Sequence, residues 1–136
     1  MLVNELQNGV VLFNAGRFFD AHEVLEDVWR EAPRQSPLRR HLQGMVQLAV
    51  AFHHQSKGNQ VGARSVLERA MRNISGADSS FPDLDLDRLR AELALWRRHL
   101  DNSEGAVERK LEGRDVRRHH VLNSSAPALP KIRKRR

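Results

Sequence analysis

Residues 16–26 read GRFFDAHEVLE, and 42 positions later residues 58–68 read GNQVGARSVLE. Gly16, Ala21, Val24, Leu25 and Glu26 thus recur as Gly58, Ala63, Val66, Leu67 and Glu68. The spacing gives several of these residues a task. Glycine can close a helix in the left-handed conformation at little steric cost. Alanine five residues later is a small surface where two helices can approach closely. Leucine four further on lies one turn along the same face. Both segments therefore predict a helical hairpin, turned at its glycine, and the two hairpins share one register.

The pattern extends outward from these two turns. Leu2, Val3, Leu6, Val10 and Phe13 stand at spacings of three and four, which predicts a helix over 2–15. Phe18, Ala21, Leu25 and Val28, with Trp29 beside them, carry a second helix that Pro33 and Pro37 end. A third helix over 38–57 is apolar on most sides between Met45 and Phe52, so it is central. Asn59 is placed to cap a fourth, over 60–74, with stripe Ala63, Val66, Leu67, Ala70 and Ile74. Asp83, Asp85 and Asp87 suit the start of a fifth, with stripe Leu86, Leu89, Leu93, Trp96 and Leu100. Beyond it only Val107 and Leu111 hint at a sixth helix near 104–119, and SSAPALPKIRKRR reads as disordered. No alternating run predicts a strand. The expectation is an all-α fold, a compact array of about five antiparallel helices built from two hairpins plus a further helix. Residues 1–103 form the helical domain, and 104–136 a basic, weakly helical to disordered extension.

Composition narrows the function classes. The chain has 136 residues, enough for one domain with a core, and no cysteine, which excludes disulfides and thiolate metal sites. No apolar run reaches spanning length, and MLVNELQNG lacks the pattern of a secretory leader, so the reading is a cytoplasmic protein with no membrane partner. The net charge of +6 is unevenly placed: residues 1–105 hold 13 Lys/Arg against 14 Asp/Glu, whereas 106–136 hold 10 against 3. The body is neutral and the end is basic.

The second helix carries His22, Glu26 and Trp29. With Leu25 at the centre of the buried face, a turn of about 100° per residue puts Trp29 about 40° away, His22 about 60° and Glu26 about 100°. His22 and Glu26 are one turn apart, at the shoulder and edge of the core stripe. Polar groups there need partners. The third helix offers Gln43, Gln47, His53 and His54, some of which are expected to meet them.

Two resemblances add to this. Gly9, Leu12, Gly16, Phe18, Ala21, Leu25, Val28 and Pro33 stand at the spacings of the tetratricopeptide repeat. The second hairpin keeps Gly58, Ala63, Leu67 and Ala70 but has Gln60 and Ser75 at the aromatic and proline positions. Its period also departs from that family's, about 34, so the likeness is one of geometry. More specifically, His22-x-x-x-Glu26-x-x-Trp29 after FNAGRFFDAHEVLE, followed by LQGMVQLAVAFHH and KGNQVGA, resembles the domain of unknown function 309 family over roughly residues 5–100. The resemblance implies a helical fold and no established activity, with the family hallmark at His22, Glu26 and Trp29.

Three readings of function follow. The leading one is a small non-enzymatic binding or scaffolding module for an unknown ligand or protein, with no cofactor. Its polar pocket would be lined by His22, Glu26, Trp29, Gln47 and His53. Exposed apolar ends of a short helical array also suit a homodimer. The alternative is a metal-dependent or acid–base enzyme of hydrolase type using His22 and Glu26, with His53 as a third candidate ligand of a divalent metal. It has no evident nucleophile, since Ser36 and Ser56 sit in no motif. The third is a nucleic-acid accessory protein acting through Lys131, Arg133, Lys134, Arg135 and Arg136. His54 and Trp96 read as core residues, and His119 and His120 as an exposed pair.

Overall fold

The computed structural model describes the backbone of residues 2–111 and 126–136. The helices are α1 (Leu2–Asn14), α2 (Phe18–Glu31), α3 (Pro37–Ser56), α4 (Gln60–Asn73) and α5 (Leu86–Leu111), with a short 3-10 turn at Ala77–Ser79. Among the described residues there is no strand, only an isolated bridge between Leu84 and Lys134. The fold is all-α, as the periodicity predicts. Each helix packs on the next in the chain, α1 on α2, α2 on α3, α3 on α4 and α4 on α5.

The two hairpin turns are built alike to the level of single hydrogen bonds. Arg17 N–H donates to Leu12 O at 2.9 Å and Gly16 N–H to Phe13 O at 3.0 Å. Forty-two residues on, Asn59 N–H donates to His54 O at 2.9 Å and Gly58 N–H to Gln55 O at 3.1 Å. This nested pair is the Schellman closure of a helix, which needs a left-handed residue at its fifth position. Gly16 and Gly58 supply it with φ of +79° and +80°. The following helices start differently: Asn59 accepts from Gly62 N–H at 2.9 Å, whereas Arg17 gives α2 no side-chain cap. Pro33 and Pro37 divide their labour. α2 ends before Pro33, and Pro37 opens α3 behind the cap of Ser36, where its missing N–H costs nothing.

The repeated alanines and leucines do what their spacing predicts. Ala21, Leu25, Ala63 and Leu67 are all buried, as is the α5 stripe Leu86, Leu89, Leu93, Trp96 and Leu100. Fully burying one such leucine contributes roughly 1.5–3 kcal/mol. Four helices meet at an aromatic cluster: Phe13 packs edge-on to Phe18 at 5.2 Å, Phe18 lies 5.7 Å from Phe52, and Phe52 meets Trp96 edge-on at 5.3 Å. A Cβ on Gly9 would lie 2.7 Å from Leu25 Cγ, so the absence of a side chain there lets α1 and α2 touch.

The far end of the chain departs from the sequence reading. α5 runs unbroken through Ser103 to Leu111, so no separate sixth helix begins near 104; the rest of that expected helix lies outside the described residues, as do His119 and His120. Residues 126–136 are extended and docked, not disordered. Ile132 is 3% exposed, Pro130 is buried, and Trp96 Nε1 donates to Ala128 O at 2.8 Å. The physical reason is that one isoleucine and several main-chain bonds anchor the segment, and neither leaves a periodic trace in a basic, proline-containing stretch.

Candidate functional site

The first turns of α2 present Phe19, His22 and Glu26 along one side. His22 Nε2 lies 3.0 Å from Glu26 Oε2, with the two side chains 26% and 32% exposed, so both sit at the boundary of the interior. Glu26 is also bonded by Arg30, one turn further on, which in turn reaches Asp27 at 2.8 Å. One carboxylate thus holds an imidazole and a guanidinium on a single helix face. A carboxylate accepts only, so His22 donates from Nε2 and its Nδ1 is the free ring nitrogen when the ring is neutral. Phe19, 51% exposed, sets its ring 5.8 Å from His22 and 5.4 Å from His53 of α3, tilted by 52° and 53°. Neither Phe19 nor Arg30 is singled out by the sequence pattern. An exposed aromatic one turn ahead of the hallmark histidine is the signal that could have found the first.

The other expected members distribute themselves differently. Trp29 is half-buried and packs against the core, with the Arg39 guanidinium 4.2 Å above its ring centre. Its Nε1 is buried without a hydrogen-bond partner. Arg39 is itself fixed by donating to Ala32 O at 2.9 Å. Gln47 turns away from His22 and Glu26: its Oε1 accepts from Asn73 Nδ2 of α4 at 2.8 Å. Gln43 is exposed. His54 is half-buried beside Asn59, whose Nδ2 lies 3.4 Å from its Nδ1. His53 joins the site through Phe19. Among the described residues no three His, Asp or Glu side chains converge as a metal ligand set, so His53 does not complete a triad with His22 and Glu26. His22, Glu26, Arg30, Phe19 and His53 come together, whereas Trp29 and Gln47 lie against other partners.

Two histidines, His41 and His99, are not singled out by the sequence pattern. His41 of α3 is 2% exposed, with Nδ1 2.6 Å from Ser80 Oγ and Nε2 3.3 Å from Arg40 Nη2. Arginine can only donate, so Nε2 is the bare nitrogen and Nδ1–H donates to the serine. Burial, and then the charge of Arg40, hold His41 below the ordinary imidazole pKa, against a smaller opposing pull from Asp78. Burial alone lowers His99. Above the ordinary value both states are neutral. As pH falls through about 6.5 the unfolded imidazole takes a proton that the folded one resists, so stability falls with acidification. Urea unfolding between pH 7.5 and 5.5 is expected to show that loss, and a smaller slope in His41→Gln.

Part of the chain is similar to a known family. Residues 6–66 match the model of the family described as Domain of unknown function (DUF309), a span that holds both hairpin turns and the His22–Glu26–Trp29 hallmark. The chain is 35% identical over 82 residues to the uncharacterized protein YpuF of Bacillus subtilis (strain 168), covering 60% of this chain and 47% of that one. It is 27% identical over 88 residues to an uncharacterized protein of Aquifex aeolicus (strain VF5), covering 65% of this chain and 26% of that one. The chain therefore spans less than half the length of either relative. No helix among the described residues is long and apolar enough to cross a membrane.

Proposed function

We propose that the chain is a small non-enzymatic binding module whose recognition surface is the outward side of α2, centred on His22, Glu26 and Phe19 and flanked by Arg30 and His53. One observation carries this reading. The repeat offers an internal control, because His22 and Glu26 fall on Arg64 and Glu68 of the second hairpin. There the pair is spent on packing: Arg64 bonds Asp101 of α5, and Arg97 of α5 lies 3.4 Å from Glu68. On α2, among the described residues, the equivalent carboxylate is held by residues of its own helix, and the exposed Phe19 stands beside it. A polar pair bonded within its own helix among the described residues, next to an exposed aromatic, is the arrangement of an interaction surface. Photo-reactive benzoylphenylalanine at Phe19 tests it in cells, with Val61, its exposed repeat equivalent, as the control position. A discrete protein adduct at 19 that is absent at 61 and lost in His22→Ala supports the reading. Equal labelling at both positions, or none, removes it.

A second reading, contact with nucleic-acid phosphates, draws on a different observation. An open cleft of about 620 Å³ is lined by Asp85, Asp87, Arg88, Arg133, Lys134, Arg135 and Arg136. Arg133 is committed to Glu92 and Arg135 lies 3.7 Å from Asp78, while Arg88, Lys134 and Arg136 are exposed. Duplex binding that weakens with salt, and whose salt dependence shrinks in Arg135→Ala/Arg136→Ala, would support it. Unaltered retention in that variant would count against it.

A further inference from the structure

The docked residues 126–136 are held in the manner of a peptide ligand. Asn14, the last residue of α1, grips one residue from both sides: its Oδ1 accepts from Ile132 N–H and its Nδ2 donates to Ile132 O, each at 2.8 Å. Glu92 of α5 accepts from Lys131 N–H at 3.0 Å, and Trp96 donates to Ala128 O at 2.8 Å. The segment also pairs like an added strand with the loop before α5: Asp85 N–H donates to Arg133 O at 2.8 Å, and Arg135 N–H to Asp83 O at 2.7 Å. These bonds address the main chain, so they recognise extended backbone whatever its side chains. Sequence is read at three points. Ile132 enters the core, Arg133 meets both oxygens of Glu92 at 3.0 and 2.9 Å, and Lys131 Nζ donates to Asn14 O at 2.6 Å. The last contact sets a cation on the carbonyl end of α1, where the helix dipole favours it.

We propose that the groove walled by the end of α1, the loop at 83–85 and the Glu92–Trp96 side of α5 is a peptide-binding groove. Its partner is an extended peptide with a basic residue, then an aliphatic residue, then arginine, and residues 126–136 occupy it as a displaceable internal ligand. Glu92 supports the same selection electrostatically. Burial alone would raise its pKa, but the bonds from Arg133 and from Lys131 N–H, with the charges of Arg133 and Arg88, outweigh burial and hold it low. With the segment docked, Glu92 is thus held as a carboxylate by the arginine it meets. The occupant belongs to the same chain, which makes its binding intramolecular and raises its effective concentration at the groove. An outside peptide must compete with that.

The test uses the full chain and a fluorescein-labelled peptide of residues 126–136, with a scrambled peptide of identical charge as control. Ile132→Asp empties the groove by placing a charge where an aliphatic group packs. The opened chain is expected to bind the peptide at least about tenfold more tightly than the wild-type chain, because the tethered competitor is gone. Adding Asn14→Ala or Glu92→Gln should erase that gain, and the scrambled peptide should bind neither chain. The proposal is overturned if the opened, still helical chain binds the peptide no better than wild type, or binds the scrambled one equally well. A second route guards against Ile132→Asp failing to fold. Labelled peptide is added to a chain cleaved at a protease site introduced between α5 and Ala126. Exchange into the groove with the helical signal retained supports a ligand. A cut segment that never exchanges, or helices that melt on its release, makes it an integral part of the fold.

Discussion

The two hairpins differ in what they do with identical geometry. Both close through the same nested hydrogen bonds on a left-handed glycine, and both bury an alanine and a leucine at equivalent positions. Yet the pair one turn apart on the second helix of each has opposite fates. Arg64 and Glu68 brace α4 against Asp101 and Arg97 of α5, whereas His22 and Glu26 stay within α2, beside an exposed phenylalanine. The lesson is that the repeated positions build the frame, and the positions where the copies diverge are where a role beyond the frame should be sought. Phe18 against Gln60 is a divergence of packing. His22 against Arg64 and Phe19 against Val61 are divergences at the surface.

Substitutions made in pairs, at equivalent positions, probe this contrast. The largest effect is expected at the shared core. Leu25→Ala and Leu67→Ala each remove a fully buried side chain, and each should cost about 2–5 kcal/mol in urea unfolding. Values far apart would mean that the hairpins do not share one packing frame. Next come the turns. Gly16→Ala and Gly58→Ala force a Cβ into the left-handed region, at about 1–2 kcal/mol each, and the two losses should match. A large loss at one turn and none at the other would break the equivalence that the hydrogen bonds suggest.

The frame was legible because its signals are local. A glycine at the turn, an alanine five residues on and a stripe of period 3.6 sit within one hairpin, and the burial they imply is realised in Ala21, Leu25, Ala63, Leu67 and the α5 stripe, with Leu6, Val10 and Val66 half-buried. The placement of His22 and Glu26 at the border of the core follows from helix rotation alone, and their 3.0 Å approach follows from the one-turn spacing. What the sequence did not carry is chosen by tertiary geometry. Gln47 finds Asn73 on α4 and not the α2 pair, a choice set by which way α3 is turned. His41 is buried against Ser80, 39 residues away, in a loop with no periodic pattern. The docking of 126–136 rests on Asn14, 118 residues from Ile132, and on bonds to main chain that any sequence could make. A basic, proline-containing end therefore reads as solvated although it is anchored.

The smallest effect bears most directly on the central claim, that the α2 pair is held out of the packing while its counterpart is spent on it. The measurement is the unfolding free energy of His22→Ala beside Arg64→Ala, in urea at pH 7.5. Arg64→Ala removes the brace to Asp101 and the packing of a long side-chain stem, and should cost about 1 kcal/mol. His22→Ala loses a half-exposed pair but gains helix propensity, and should stay within about 0.5 kcal/mol of wild type. A loss at His22 equal to or greater than that at Arg64 would contradict the account, because the imidazole would then be a brace of the fold like its partner in the second hairpin.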